Sequence, residues 1–169
     1  MNLESFLFRA EDYEPARKYL VRRYVSDIDI RRLYAHDNLN QDIPKKLFNN
    51  QVETDEKGII WLNEGVESKH GQRVPLGTDP RVVIPIKNQK GELIGIQTRS
   101  IDPLLMKGMR YQGIKYKDEP QIFNIENIDE SKTIFVVEGE FCAMQLPNAV
   151  ATIIWEDLSL IHISEPTRP

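Results

Sequence analysis

A chain of 169 residues, 40% hydrophobic and 28% charged, has room for one good-sized domain or two small ones and an ordinary globular balance. Its formal net charge of -4 argues mildly against a tight, nonspecific grip on nucleic acid, while leaving open a local groove of Lys and Arg. No apolar run reaches the ~20 residues a membrane span requires, and one cysteine, Cys142, excludes an internal disulfide and a cysteine-rich zinc site.

The opening, Met1 to Phe6, has no basic stretch followed by an apolar run, so no secretory signal is expected and the expected compartment is the cytoplasm. His36, His70 and His162 are too scattered for a metal cluster and are expected on the surface. Residues 12 to 34 pattern as two short helices. Glu14 and Pro15 stand in the first turn of one and Arg22-Arg23 at its end, as the helix dipole prefers. Ser26-Asp27-Ile28-Asp29 then resembles a capping box, with Asp29 where Glu is usual. Ile30, Leu33 and Tyr34 form a candidate apolar face behind it. Residues 35 to 57 are polar and weakly patterned, a connector with a short helical turn near Lys45 to Phe48. Gly58 to Leu62 predicts a strand, and Glu64 to Asp79, rich in Gly, Pro and charge, a loop.

The pattern then turns strongly β. Arg81 to Ile86 and Glu92 to Arg99 are two β-rich runs around a short turn ending in Gly91, which predicts a hairpin. Asp102 to Glu119 is mixed and basic. Thr133 to Val137 is the clearest buried-strand run, with Val136 and Val137 expected inside. A short helix is expected around Phe141 to Leu146 and another strand over Asn148 to Ile154. Residues 158 to 169 match the conceptual translation of a transposon-based sequencing adapter and are expected not to belong to the fold. Trp155, Glu156 and Asp157 lie beside that junction.

The chemistry centres on Val136-Val137-Glu138-Gly139-Glu140. Open α/β sheets put their sites beyond the carboxyl ends of strands, where Glu138 would stand. A carboxylate there serves as a general base or helps hold Mg²⁺, and Gly139 would let the backbone turn closely. The plain alternative is a strand entering a turn.

The segment Thr133 to Thr152, with Glu138-Gly139 and then Leu146-Pro147-Asn148-Ala149-Val150-Ala151, resembles the first β-α-β unit of the TOPRIM domain. The variant is similar to that of bacterial-type DNA primases of tailed phages. The order of upstream motifs agrees: Arg81 to Ile86, Gly91-Glu92-Leu93-Ile94-Gly95, Arg99, then Arg110-Tyr111, Lys115-Tyr116 and Ile122-Phe123-Asn124. Pro15-Ala16, Tyr19-Leu20, Arg23 and Leu33-Tyr34 resemble the helical start of the primase core, so the likeness spans roughly residues 12 to 155.

That resemblance implies an α/β fold: an α+β N-terminal lobe over residues 1–130, then the start of a Rossmann-like TOPRIM sheet over 131–157, followed by the adapter-like tail 158–169. It implies an enzyme that makes RNA primers for DNA replication on a single-stranded DNA template from nucleoside triphosphates. Mg²⁺ or Mn²⁺ would be its cofactor and a replicative helicase its partner, with no membrane, in the bacterial host cytoplasm if phage-encoded. Glu138 becomes the candidate catalytic and metal-binding carboxylate. Arg81, Arg99, Arg110 and Lys115 become candidates for binding nucleotide and template, each with an exposed surface charge as its alternative. Tyr111 and Tyr116 are candidates for stacking on bases or for packing against the sheet, while Lys107 and Lys117 are expected to be solvated. Cys142 stands where the family carries an Asp, and the family's Asp-x-Asp pair and zinc-binding domain fall outside the chain. The chain alone is therefore expected to make no primers. The alternatives are another TOPRIM enzyme, a nuclease or topoisomerase relative, and a noncatalytic primase-derived nucleic-acid-binding module.

Overall fold

The computed structural model describes residues 3–37, 52–62, 76–77, 79–104 and 110–153. The expected turn at 45–48, most of the 64–79 loop, His70, Lys107, the residues from 154 onward and the tail with His162 lie outside the described residues.

The chain begins with a single 3-10 turn over Leu3–Ser5 and a two-residue strand, β1 (Phe8–Arg9). Helix α1 (Glu14–Arg22) follows, with Pro in its first turn, where no intrahelical N–H is needed. Ala16 and Leu20, one turn apart, are its buried stripe. Helix α2 (Asp27–Ile30) is capped as expected: Ser26 Oγ accepts from the Asp29 N–H at 3.2 Å and donates to Asp29 Oδ2 at 2.6 Å. Ile30 and Leu33 are buried, but Tyr34 already belongs to a strand.

The central sheet has five strands in the order β1-β2-β5-β6-β7. They are β1, β2 (Tyr34–His36), β5 (Arg81–Lys87), β6 (Leu93–Ser100) and β7 (Tyr111–Lys115), all antiparallel to their neighbours. The β5–β6 hairpin is its centre. Asn88 shapes the turn, its Oδ1 accepting from the N–H groups of Lys90 (3.1 Å) and Glu92 (3.0 Å), while Gly91 takes the left-handed φ of 77° that favours glycine. Pro85 falls where β5 has run past β2, whose partners end at Val83, so a residue without an N–H meets an open side of the ladder.

Alternation along β5 divides the core. Val82, Ile84 and Ile86 pack with Leu20, Ile30 and Leu33, and with Phe123, Phe141, Ala149 and Ala151 from the C-terminal part. Val83 packs on the opposite face with Ile96, Ile114, Leu3, Leu7, Val52 and Leu76. Burial on both faces is why β5 is a nearly continuous apolar run. Gly95 in β6 marks a close approach: a Cβ there would lie 2.7 Å from the Ile114 carbonyl oxygen and would strike the Gln121 side chain.

A three-stranded sheet follows in the order β8-β10-β9. Strand β9 (Phe135–Val137), helix α3 (Glu140–Met144) and β10 (Ala149–Thr152) form a parallel β-α-β unit. Strand β8 (Ile122–Phe123) adds antiparallel to β10, so this sheet recruits chain from before residue 130. A separate hairpin, β3 (Val52–Thr54) and β4 (Ile60–Leu62), is tied by Asp55, which accepts from the N–H groups of Lys57 and Ile59 and from Trp61 Nε1, each at 2.9 Å. Among the described residues no helix is long and apolar enough to cross a membrane.

Four expectations need correction. The 35–57 connector supplies most of β2 and all of β3, and the basic 102–119 segment supplies β7; β2 and β7 are drawn out by partners farther along the chain, β3 by the neighbouring β4. His36 is buried rather than at the surface, stacked on Phe8 with ring centroids 6.0 Å apart. Val136 is 59% exposed and Val137 half-buried: among the described residues β9 ends its sheet, and none of them covers its outward face.

Candidate functional site

Glu138 directly follows β9 at its carboxyl end and is exposed, as the strand-end argument requires. Among the described residues it has no ion-pair partner. Gly139 is extended, with φ -139° and ψ 150°, a conformation any residue adopts, and a Cβ there would meet nothing within 4 Å. Backbone geometry therefore does not demand a glycine at this position, contrary to the sequence argument. What Gly139 leaves is open space beside the carboxylate.

Two residues on, Glu140 turns inward and is only 3% exposed. Burial pushes its carboxyl above the usual range; its own N–H and the nearby Arg99 charge oppose that. Its Oε1 has no hydrogen-bond partner among the described residues.

Arg99 is the best organised of the candidate cations. It lies on the same face of the central sheet as Val82 and Tyr111, which flank it in the ladder. Its Nε donates to Tyr19 Oη at 3.1 Å, and its guanidinium sits 4.2 Å from the Tyr111 ring centroid. Arg23, the C-cap residue of α1 four residues beyond Tyr19, stands 5.1 Å over the Tyr19 ring and 5.4 Å over Phe141 of α3. Tyr19 and Phe141 meet edge to face at 6.1 Å. Burial pushes the Tyr111 hydroxyl up; Arg99 opposes this and Glu140 reinforces it. Helix α1, strands β6 and β7, and helix α3 thus converge on one cluster of Tyr19, Arg23, Arg99, Tyr111 and Glu140.

The other cations are placed differently. Arg81 is 1% exposed. Its Nε and Nη2 donate to Asp79 Oδ1 at 3.1 and 2.8 Å, and its Nη1 to Thr98 Oγ1 at 3.2 Å and the Arg110 carbonyl at 3.5 Å. Burial pulls its pKa down, with Asp79 opposing. That geometry makes Arg81 a staple between the 79 loop and β5, β6 and β7, and the expected phosphate contact has no open face there. Arg110 is half-buried and donates to the Pro103 carbonyl at 3.2 Å. Lys115 is half-buried opposite Gly95, on the Arg99 face but four ladder positions away, about 13 Å along the strand. Tyr116 packs beside the Val83 face rather than presenting its ring to a base. Lys117 is exposed, 2.7 Å from Glu92 Oε2.

Sequence reasoning missed Tyr19, Arg23 and Glu140 as cluster members. A signal existed for the first two, since their spacing puts both on one face of α1. A cleft of 490 Å³ lies elsewhere, lined by Arg9, Arg32, Tyr34, Lys87, Phe123 and Glu126 among others. Two of its cations are already engaged: Arg9 with Glu4, and Arg32 with Asp29 at 3.3 Å and Glu126 at 3.5 Å.

No family model matches the chain, and no curated protein matches it. Solved structures do. The Escherichia coli primase catalytic core matches with a TM-score of 0.60 at 18% identity, covering 89% of this chain and 52% of that one. A DnaG primase catalytic domain bound to single-stranded DNA matches with a TM-score of 0.53 at 20% identity, covering 82% and 48%. An Aquifex aeolicus primase comprising zinc-binding and RNA polymerase domains matches with a TM-score of 0.55 at 20% identity, covering 83% and 37%. The chain spans about half the length of the catalytic cores it matches. Its fold, mixed α/β with antiparallel sheets and few helices, is that of primase catalytic cores.

Proposed function

We propose that this chain forms the N-terminal part of the catalytic core of a TOPRIM-type DNA primase, which builds RNA primers on a single-stranded DNA template from nucleoside triphosphates. The observation that carries this is the fold likeness to primase catalytic cores over 89% of the chain in the best-covered case above. Residues 1–130 would be the N-terminal lobe and 131–157 the opening of the TOPRIM unit, with 158–169 outside both. Tailed-phage origin, a helicase partner and a cytoplasmic setting belong to the same proposal and rest on resemblance.

Arg99 is the proposed phosphate-binding group. The Tyr19 hydroxyl and Tyr111 ring fix its guanidinium in advance, so little side-chain freedom is lost when a phosphate arrives. Lys115, on the same face, suits a second phosphate of nucleotide or template, with Arg110 between the two roles. Arg81 supports them by holding their strands. Glu138 is the proposed catalytic carboxylate. Among the described residues no group of three or more His, Cys, Asp or Glu assembles, so none of them joins Glu138 in an all-protein metal cage. Mg²⁺ or Mn²⁺ would join Glu138 only together with substrate phosphates, where it would offset their charge. The second reading, a noncatalytic primase-derived nucleic-acid-binding module, is favoured by Cys142, exposed on α3 where the family carries Asp.

Fluorescence anisotropy with a labelled single-stranded oligonucleotide and a labelled nucleoside triphosphate tests the proposal. Arg99→Gln should weaken binding of the triphosphate about tenfold, the loss of one charge-assisted contact. Lys115→Gln should weaken binding of at least one of the two, and Glu138→Gln should leave oligonucleotide binding intact. No binding by the wild type, or binding indifferent to Arg99→Gln and Lys115→Gln, would sink it. In a primer-synthesis assay with Mg²⁺ or Mn²⁺ the chain alone should make no template-dependent oligomers. Oligomers from the wild type but not from Glu138→Gln would show that one carboxylate suffices.

A further inference from the structure

Helix α1 ends in a closed hydrogen-bond pattern that prescribes its backbone. The Val25 N–H donates to the Leu20 carbonyl at 3.1 Å and the Tyr24 N–H to the Val21 carbonyl at 3.0 Å, while Leu20 and Val25 both sit in the core. A helix closed in this way needs a left-handed residue between the last turn and the apolar residue that follows. Tyr24 is that residue, with φ 60°. Glycine is favoured there, because a Cβ crowds a neighbouring carbonyl oxygen in the left-handed conformation. The strain is set by bonds within residues 20–25 and by no other part of the chain.

The Tyr24 ring adds no packing that offsets this strain, since it is 86% exposed. A strained residue held outside the core points to a binding role. The surrounding charge indicates what binds. Residues 15–25 carry Arg17, Lys18, Arg22 and Arg23 and no acidic residue, in a chain of net charge -4. Lys18 is paired with Glu14 at 2.6 Å, but Arg17 and Arg22 are exposed and have no ion-pair partner among the described residues. Arg23 connects Tyr24 to the Arg99 cluster: it covers the Tyr19 ring, whose hydroxyl accepts from Arg99. An aromatic face among unpaired cations suits a polyanion with free base faces, which is an unpaired nucleic-acid strand. In a duplex the bases are stacked on one another, and only phosphates are left for the arginines.

We propose that Tyr24 is a base-stacking residue for single-stranded nucleic acid: one unpaired base lies on its ring, and Arg17 and Arg22 contact the flanking phosphates. The inference rests on the primase reading and adds to it a residue that selects unpaired template over duplex.

Two measurements on the 169-residue chain test it. In thermal unfolding, Tyr24→Gly should raise the melting temperature by about 2–4 °C, because it relieves the left-handed strain. In fluorescence anisotropy at fixed salt, the same variant should bind a labelled single-stranded oligonucleotide about tenfold more weakly and the matching duplex unchanged. Tyr24→Phe, which keeps the ring, should bind the single strand within about twofold of the wild type. Arg17→Gln and Arg22→Gln should weaken both forms alike, since phosphates do not report pairing. Higher stability with lower affinity is the mark of a residue kept for its ligand. A melting temperature that stays or falls in Tyr24→Gly would place the ring against protein and overturn the proposal. Equal losses for duplex and single strand would do the same, as would poly-glutamate binding that depends on Tyr24 as strongly as oligonucleotide binding does. Single-strand binding that responds to Arg99→Gln or Lys115→Gln but not to Tyr24→Gly would overturn it and leave the primase reading standing. No binding of the single strand by the wild type would remove both.

Discussion

Strands β5 and β9 are built from the same kinds of residue and meet opposite fates. Val82, Val83 and Ile84 are wholly buried, while Phe135 and Val136 face solvent. Strand β5 has α1 and α2 against one face, the Leu3–Leu7 and Val52 cluster against the other, and β6 along its full length. Among the described residues strand β9 has only β10 beside it, with the half-buried Val137 turned toward the core. Apolar character drives burial only where another element supplies the opposing surface. A polar group can likewise be drawn in where partners exist, and Arg81 is more deeply buried than any apolar residue of β9.

The most damaging change to the central sheet should be Arg81→Ala. It would leave the half-buried Asp79 without its ion-pair partner while removing the link from the 79 loop to β6 and β7. The expected loss is about 3–5 kcal/mol of unfolding free energy, measured by urea titration. A loss below about 1 kcal/mol, the range of an exposed pair, would mean the ion pair is open to water.

The contrast between the strands can be broken directly by truncating one apolar residue in each. Ile84→Ala should cost about 2–5 kcal/mol through the cavity it leaves. Val136→Ala should change monomer stability by no more than about 0.5 kcal/mol. Equal effects would erase the distinction drawn here between a strand with two covered faces and one with an open face.

Gly95→Ala sharpens the picture of the central sheet. The new methyl group would meet the Ile114 backbone oxygen, which cannot swing aside, so β6 and β7 must separate or Gln121 must leave its place. A loss of about 1–3 kcal/mol is expected. Faster amide exchange at Gln112 and Ile114, whose N–H groups face β6, should accompany it, and unchanged exchange there would show that Gln121 alone absorbs the methyl.

The smallest effect concerns acid stability of the β5–β6 hairpin. The hydrogen bond from Lys117, then that from Asn88, holds the Glu92 carboxyl below its usual 4.5. A depressed folded-state pKa means that this contribution is present above 4.5 and fades as pH falls through the folded value. Glu92→Gln should therefore lower stability slightly at neutral pH and flatten the acid limb of the stability curve below about 4.5. An acid limb identical to that of the wild type would remove Glu92 from the account.

The elements that could be read from sequence are those decided by near neighbours. The α1 terminus signals, the Ser26 cap and the β5–β6 hairpin with its Asn88–Gly91 turn depend on contacts within a few residues, and they appear where the local pattern puts them. The parallel unit around Glu138 was legible too, because an apolar strand, a carboxylate and a short helix follow one another in the chain. Strand β7 was hidden because Gly113 and its flanking charges conceal the alternation of Gln112 and Ile114, which only pairing with β6 draws out. The burial of Arg81 and Glu140, the exposure of Val136 and the meeting of Tyr19 with Arg99 across 80 residues were likewise decided by the tertiary structure. Turns and caps are settled by hydrogen bonds a few residues apart, whereas burial depends on which distant surface arrives to exclude water.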